Sequence, residues 1–344
     1  MATINRPMRR TALALVCGIA AALALSHASG AAEGDKTYVM KLSTATLNDS
    51  QNEWMKMFAA AVEKGSGGRI KGEIYPASQL GAIPRQIEGT QLGSIQGWVG
   101  PPEFLVGVDE RFEVLSAPGI FTSFDQAERI TADPEVKDMI LGFGVPKGLL
   151  GVSLFISGPS AINTRTPIRH LADAKGMKLR VLASPFQNEL VYRLGGTPVA
   201  MTLADVLPAI QQGTIDGAVS TVPVFTALQY YDAAKYMTET GQPFVFSIAT
   251  ISKKWYDGLS PDLQKVVMDA GVASAKEIVP WQLDFYTKQR KVWTEKGGEL
   301  ISLPPDEQAQ MMDKLKSVGE DMSKTKPGLH AAYETVVAAL KRIK

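Results

Sequence analysis

The sequence is poor in the residues that most often carry catalysis, metal binding or covalent cross-links. Its 344 residues include one cysteine and three histidines. Cys17 lies in an apolar N-terminal segment, so no disulfide is available to the rest of the chain. His170 and His330 belong to no metal-binding motif, and we interpret both as surface residues. Burial of apolar side chains must therefore hold the fold together, and the chain is long enough to divide its core in two.

The common catalytic and nucleotide-binding motifs are absent as well. The chain contains no G-x-S-x-G, no G-x-x-x-x-G-K-[ST] and no G-x-G-x-x-G. These patterns would have indicated a serine hydrolase, a phosphate-binding loop and a dinucleotide site, respectively. The acidic residues are scattered, mostly on predicted helical faces, where solvent exposure explains them. We therefore expect a protein that binds its ligand without transforming it, and we expect neither a metal ion nor a cofactor.

The first 32 residues have the order of a secretory signal peptide. Three arginines are followed by an apolar run at 12–25 and by small residues suited to cleavage after Ala28 or Ala32. The run is shorter than the roughly 20 residues that a membrane-spanning helix needs, although an uncleaved anchor is the alternative. We predict that residues 1–32 are removed on export to the periplasm. The Sec pathway is the default, and the paired arginines leave the twin-arginine pathway open.

The remaining chain has a balanced charge. Without the three leader arginines, 33 Lys and Arg stand against 35 Asp and Glu. A chain without a basic excess is not expected to bind nucleic acid. No later stretch is apolar enough to cross a membrane, so we expect a soluble mature protein.

Short apolar runs alternate with helical patterns, which is typical of an α/β protein. The segment from Tyr38 to Ser43 predicts a strand, and the segment from Leu263 to Trp293 predicts a long helix. Two segments, 87–97 and 207–217, resemble each other, and each predicts a helix ended by glycine and followed by a strand. This repetition indicates two similar lobes, unless both are ordinary helix–glycine–strand turns.

Several motifs resemble those of one family. They are D-x-K-G-x-K-L-R-V at 173–181, G-x-x-P at 195–198 and Q-x-G-x-[IV]-D-G at 211–217, with Y-P-x-S-Q-L-G at 75–81 and the segment 259–267. In this order and spacing they resemble the solute-binding proteins of tripartite ATP-independent periplasmic (TRAP) transporters, the DctP-like family. The resemblance covers nearly the whole mature chain.

The resemblance implies a two-lobed α/β periplasmic-binding-protein fold with hinge strands and a long C-terminal helix that bridges the lobes. We place lobe I at 33–156 and 246–284, and lobe II at 157–245 and 285–344. It also implies that the lobes close on a ligand and that the closed protein delivers it to TRAP membrane subunits. We expect a monomer.

The resemblance further implies that Arg180, in the L-R-V strand, binds the carboxylate of a small organic acid. A planar guanidinium matches a carboxylate with two parallel hydrogen bonds, which lysine cannot reproduce. The other candidate ligand-binding residues are Trp98, Phe155, Ser160, Ser184, Phe186, Leu203, Ser220 and Thr221.

Three positions lack polar groups that better-known members of the family carry. These positions are Ile83, Ser160 and Ser220. We therefore predict a mono- or dicarboxylate with an aliphatic or aromatic tail instead of a polyhydroxylated sugar acid. The aromatic candidates could equally be part of the core.

Three other functions stay open on the sequence. A sensory binding protein could present a carboxylate to a membrane receptor instead of a transporter. A component of an ATP-driven uptake system is disfavoured by the L-R-V and I-D-G motifs. An enzyme on a binding-protein scaffold is disfavoured by the missing catalytic residues.

Overall fold

A computed structural model of the chain describes Ala2 and residues 36–182 and 184–343. Apart from Ala2, the predicted signal peptide at 1–32 lies outside the described residues. Val39–Lys344 forms one compact unit. None of the helices in the described ranges combines the length and apolarity that crossing a membrane requires.

Strands and helices alternate along the chain, as the sequence predicts. The strands are β1 (Tyr38–Ser43), β2 (Ile70–Tyr75), β3 (Gly97–Gly100), β4 (Leu149–Thr164), β5 (Lys178–Val181), β6 (Thr197–Ala200), β7 (Gly217–Thr221), β8 (Tyr236–Glu239), β9 (Phe244–Ser252) and β10 (Glu299–Ser302). The α-helices are α1 (Ser50–Gly65), α2 (Ile83–Leu92), α3 (Phe124–Ala132), α4 (Pro134–Gly142), α5 (Pro185–Arg193), α6 (Leu203–Gln211), α7 (Val222–Ala227), α8 (Lys253–Asp257), α9 (Pro261–Glu295), α10 (Pro305–Leu315), α11 (Val318–Ser323) and α12 (Pro327–Arg342). Short 3-10 helices cover Pro102–Leu105, Glu110–Ser116, Val145–Lys147, Leu171–Ala174 and Tyr230–Asp232.

The strands form one connected sheet in the order β2-β1-β3-β9-β4-β7-β5-β6, and β8 pairs with both β4 and β10. Strand β4 joins its two halves. Over Leu149–Pro159 it pairs antiparallel with β9, and over Ser160–Thr164 it pairs with β7. The register of β4 against β9 shifts between Ile156 and Gly158. Two strands therefore carry the chain from one half of the sheet to the other.

Helix α1 shows how the sequence sets local structure. Asp49 caps the helix, since its Oδ1 accepts a hydrogen bond from the backbone N–H of Asn52 at 3.0 Å. Trp54, Phe58 and Val62 follow at four-residue intervals and are fully buried. The rings of Trp54 and Phe58 stack with centroids 4.6 Å apart. This apolar stripe fixes the start of the helix at the edge of the cavity described below.

The two similar sequence segments form similar structures. Helix α2 ends at Gly93, which takes φ = 86°, and β3 follows. Helix α6 is followed by Gly213 with φ = 72°, and β7 comes next. Glycine adopts these positive φ angles without the steric cost that other residues meet. Strand β3 begins at Gly97, four residues after the glycine that ends the helix.

The long C-terminal helix is also present. Helix α9 has 35 residues, packs on α1 and β4 at one end, and packs on α7 and β10 at the other. The Ser153 hydroxyl donates to the backbone oxygen of Gly271 at 2.6 Å, which ties α9 to β4. The bridging helix of the predicted fold class is therefore confirmed.

The last helices pack on elements from both sides of the predicted lobe boundary. Helix α12 contacts the 3-10 helix Glu110–Ser116 and helices α3 and α4, whereas α10 and α11 contact α5. Their apolar residues share one continuous core with both groups of elements. The placement of 285–344 in lobe II alone thus remains a prediction.

Candidate functional site

A cavity with an empty volume of about 480 Å³ lies at the ends of several strands. Its walls come from residues at or after the carboxyl ends of β1, β3, β5, β6 and β7, with one residue each from α1, α2, α7, β4 and β9. Ligands of open α/β sheets bind in this location, because the loops that leave parallel strands meet there.

Arg180 provides the positive charge of the cavity. It lies in β5, which pairs in parallel with both β6 and β7, and only 2% of its surface is exposed. Its Nε donates to the backbone oxygen of Met201 at 3.1 Å, and its Nη1 donates to that of Val219 at 3.5 Å. These two bonds fix the plane of the guanidinium. Its remaining N–H groups make no hydrogen bond within the described part of the chain.

The guanidinium has no carboxylate partner among the residues that the structure describes. Burial lowers the pKa of Arg180 to about 10, and the nearby Tyr230 and Glu103 act in the opposite direction. The side chain is therefore charged at neutral pH. A buried charge is costly unless an anion pairs with it. The cavity thus holds a fixed cation whose remaining donors can bind an anion.

A polar group lies on the wall formed by the start of α1. The Gln51 Oε1 accepts from Thr44 Oγ1 at 2.7 Å and contacts Thr46 Oγ1 at 3.2 Å. Thr46 Oγ1 in turn donates to Asp49 Oδ1 at 2.8 Å. Burial raises the pKa of Asp49 to about 6. These contacts fix the orientation of the Gln51 amide.

Hydroxyl groups and apolar side chains complete the lining. Ser157 on β4 and Ser247 on β9 share a hydrogen bond of 2.6 Å, and Ser157 faces the cavity. Ser220 and Thr221 line it from the end of β7. The apolar part of the wall includes Ile83, Trp98, Phe104, Leu182, Leu203, Val224 and Val245. The cavity therefore combines one cation, several neutral polar groups and a largely apolar body.

A buried acidic group lies close to the cation. Glu103 follows the cavity residue Pro101 and is 1% exposed, and its Oε1 accepts from Gln187 Nε2 at 3.3 Å. Burial raises the pKa of Glu103 to about 7, and the charge of Glu113 adds to the rise. Glu103 therefore titrates near neutral pH, within electrostatic range of Arg180.

Five of the nine residues predicted to bind ligand line this cavity. They are Trp98, Arg180, Leu203, Ser220 and Thr221. Trp98 and Ser220 were named from the positions that pocket residues occupy in the family that the sequence resembles. The structure thus brings together residues that lie more than a hundred positions apart.

The other four predicted residues lie outside the cavity lining. Phe155 packs in the core, with its ring 6.2 Å from that of Trp54. Phe186 is fully buried in the core beneath β5. The Ser184 hydroxyl donates to Glu113 Oε2 at 3.4 Å. Ser160 pairs with Thr221 across β4 and β7, and its side chain is buried outside the lining.

Sequence reasoning missed several lining residues. Thr46 and Gln51 follow β1, and Ser157 and Val245 lie on the two strands that connect the halves of the sheet. The polar run T-x-T-x-x-D-x-Q directly after a predicted strand is the one signal that could have identified the first two. Within the described ranges, no group of three or more His, Cys, Asp or Glu side chains is arranged to hold a metal ion.

The fold and the cavity define a class of protein. Two halves of a sheet joined by crossing strands, a long bridging helix and a cavity at the strand ends are the features of a two-lobed binding protein. The chain belongs to family 7 of the bacterial extracellular solute-binding proteins, DctP, whose model matches residues 43–326. This family consists of solute-binding proteins, so the resemblance drawn from the sequence motifs is confirmed.

Individual relatives agree with this assignment. The chain is 27% identical over 259 residues to the 2,3-diketo-L-gulonate-binding periplasmic protein YiaO of Escherichia coli K12, a match that covers 74% of this chain and 77% of that protein. Its fold matches a TRAP periplasmic solute-binding protein of Sulfitobacter sp. NAS-14.1 with bound β-D-galacturonate, at TM-score 0.81 and 23% identity, covering 87% of this chain and 99% of the other. It matches one from Shewanella oneidensis with bound succinate at TM-score 0.81 and 21% identity, covering 88% and 99%.

Proposed function

We propose that this protein captures a small organic carboxylate in the periplasm by lobe closure and delivers it to the membrane subunits of a TRAP transporter. The observation that carries the proposal is Arg180, a buried cation that lines the cavity and has no paired carboxylate in the described part of the chain. A ligand carboxylate would supply the missing anion with bidentate geometry. The ligands named for the three relatives support this, because diketogulonate, galacturonate and succinate are all carboxylates.

The geometry of β4 and β9 supports lobe closure about the predicted boundaries. The register shift in β4 falls between Ile156 and Gly158, whose partners on β9 are Phe246 and Val245. These positions coincide with the boundaries predicted at 156/157 and 245/246. Gly158 has φ = 131°, a conformation that side chains rarely allow. We propose that the two strands bend here when the lobes close.

The rest of the proposal follows from family membership and composition. Residues 1–32 act as a signal peptide that is removed on export, and the mature protein works as a monomer without a cofactor and without enzymatic turnover. The ligand body is aliphatic or aromatic, because apolar side chains form much of the cavity wall.

Native mass spectrometry of the purified mature protein tests the proposal. The protein alone, and with a panel of small mono- and dicarboxylates, should show one bound acid per chain. The same acid should be absent from an Arg180→Ala variant. Binding of neutral or cationic solutes, with none of the carboxylates retained, would contradict the proposal.

The affinity for a carboxylate should fall as pH rises through about 7. Burial raises the pKa of Glu103 to about 7, so the group is neutral below that pH and negative above it. A negative Glu103 repels an anion bound at Arg180. If the two charges interact by about one pKa unit, the affinity should drop about tenfold between roughly pH 5.5 and roughly pH 8.5. Calorimetric titration across this pH range measures the affinity at each pH. In the Glu103→Gln variant the affinity should change much less with pH.

The effects of other titratable groups on the pH dependence of binding must be distinguished from the effect of Glu103. Glu113 has a pKa raised by burial and lies beside Lys326, at 3.3 Å. Tyr230 titrates far above the range, because burial raises its pKa to about 12. Asp49, with a pKa of about 6, is tested with Asp49→Asn, which preserves the helix cap. A pH dependence that persists in Glu103→Gln and disappears in Asp49→Asn would assign the effect to Asp49.

A further inference from the structure

Neighbouring side chains orient the Gln51 amide by contacts with its oxygen, and those that the structure describes provide no acceptor for its nitrogen. Its Oε1 is held by Thr44 Oγ1 at 2.7 Å and lies 3.2 Å from Thr46 Oγ1. Its Nε2 donates to no atom of the described residues, although Gln51 is only 3% exposed. An amide in a buried site that leaves its donor unpaired loses free energy. Because Gln51 lines the cavity, a bound ligand can supply the acceptor for Nε2.

The surroundings of Gln51 restrict the charge of that acceptor. Among the residues that line the cavity, Arg180 is the only Lys or Arg. Asp49 lies next to Gln51 through Thr46 and is negative above about pH 6. A second carboxylate on the ligand would meet this acid without a cation to balance it. A ketone or hydroxyl oxygen accepts the same hydrogen bond without that repulsion.

We propose that Gln51 determines specificity by donating a hydrogen bond from Nε2 to a neutral oxygen of the ligand. On the proposed function, on which this inference rests, the ligand carboxylate binds Arg180. The protein then selects monocarboxylates that carry an oxo or hydroxyl group, over plain monocarboxylates and over dicarboxylates. The apolar wall between the two polar ends accommodates the carbon chain.

Calorimetric titration with matched acids tests this selection. The plain acids are butanoate, pentanoate and hexanoate, and their partners are 3-oxobutanoate, 4-oxopentanoate and 5-oxohexanoate, with succinate and glutarate as dicarboxylates. At least one oxo acid should bind the wild type about tenfold to a hundredfold more tightly than its plain partner, because a plain acid leaves Nε2 unpaired. Each dicarboxylate should bind more weakly than the best oxo acid.

Variants of Gln51 assign the preference to this side chain. Gln51→Leu should bind the oxo and plain partners equally, and Gln51→Glu, which has the same shape but no amide donor, should favour the plain acid. Gln91→Leu is the matched control, because Gln91 is a partly exposed amide that donates to the Lys147 backbone oxygen outside the cavity. Thermal unfolding of each variant establishes that it is folded.

The outcomes distinguish this inference from the proposed function. Equal binding of oxo and plain acids by the wild type, or a preference that survives in Gln51→Leu, overturns the role of Gln51. If a dicarboxylate binds more tightly than the best oxo acid, the proposal that Gln51 binds a neutral oxygen of the ligand is wrong. A wild type that binds other carboxylates but none of the six monocarboxylates also overturns the inference alone, whereas one that binds no carboxylate overturns the proposed function.

Discussion

Replacement of Arg180 by lysine should weaken carboxylate binding by about a hundredfold or more while the protein stays folded. The guanidinium is held by the backbone oxygens of Met201 and Val219, so its remaining donors have a fixed direction. Lysine has a single point charge on a flexible stem and cannot place two parallel donors on a carboxylate. Calorimetric titration with the acid found in the native protein measures the loss.

The control for Arg180→Lys is Arg165→Lys. Arg165 follows the end of β4, is exposed and pairs with Asp216 at 3.3 Å, away from the cavity. This variant should bind the acid with unchanged affinity, because Arg165 does not line the cavity. It should also stay folded, because an exposed ion pair contributes little to stability. Unchanged affinity in Arg180→Lys, with both variants folded, would remove Arg180 from the binding site.

Replacement of Gly217 by alanine should lower the free energy of unfolding by about 3 kcal/mol, and Tm by about 5 °C or more. Gly217 begins β7 and lies against β4. A Cβ at this position would be 2.1 Å from the backbone oxygen of Asn163. Backbone atoms cannot rotate away as a side chain can, so β7 would have to move from β4. Chemical or thermal unfolding measures the change.

Gly142→Ala is the matched control for Gly217→Ala. Gly142 is the last residue of α4, and a Cβ there would meet no atom within 4 Å. Alanine in a helix is favoured over glycine by up to about 1 kcal/mol, so the stability should be unchanged or slightly higher. If Gly217→Ala unfolds at the wild-type temperature, the close approach to Asn163 does not constrain the fold.

The cost at Gly217 also explains one of the motifs in the sequence. The glycine of the I-D-G motif allows β7 to approach β4, and β7 then carries Ser220 and Thr221 to the cavity. The corresponding Gly97 is under less constraint, because a Cβ there would meet the side-chain tip of Leu42 at 2.7 Å. Similar segments thus form similar elements under unequal packing constraints.

The sequence by itself determined the element types and the fold class. Hydrophobic spacing and cap residues are local signals, which is why β1 and the long helix α9 follow the predicted segments closely. The strand that contains Arg180 and the glycine-led strands β3 and β7 were likewise recognisable from contiguous motifs. The resemblance to the family placed Trp98, Arg180 and Ser220 among the candidate ligand-binding residues, and all three line the cavity.

Only the tertiary structure decided which aromatic and polar residues line the cavity. Phe155 and Phe186 are aromatic candidates like Trp98, but Phe155 on β4 and Phe186 on α5 are buried in the core and do not line the cavity. The orientation of the Gln51 amide depends on contacts with Thr44 and Thr46, which form where the chain folds back around the cap of α1. Local patterns fix the backbone of each element, whereas the direction of a side chain into a cavity depends on how distant elements pack.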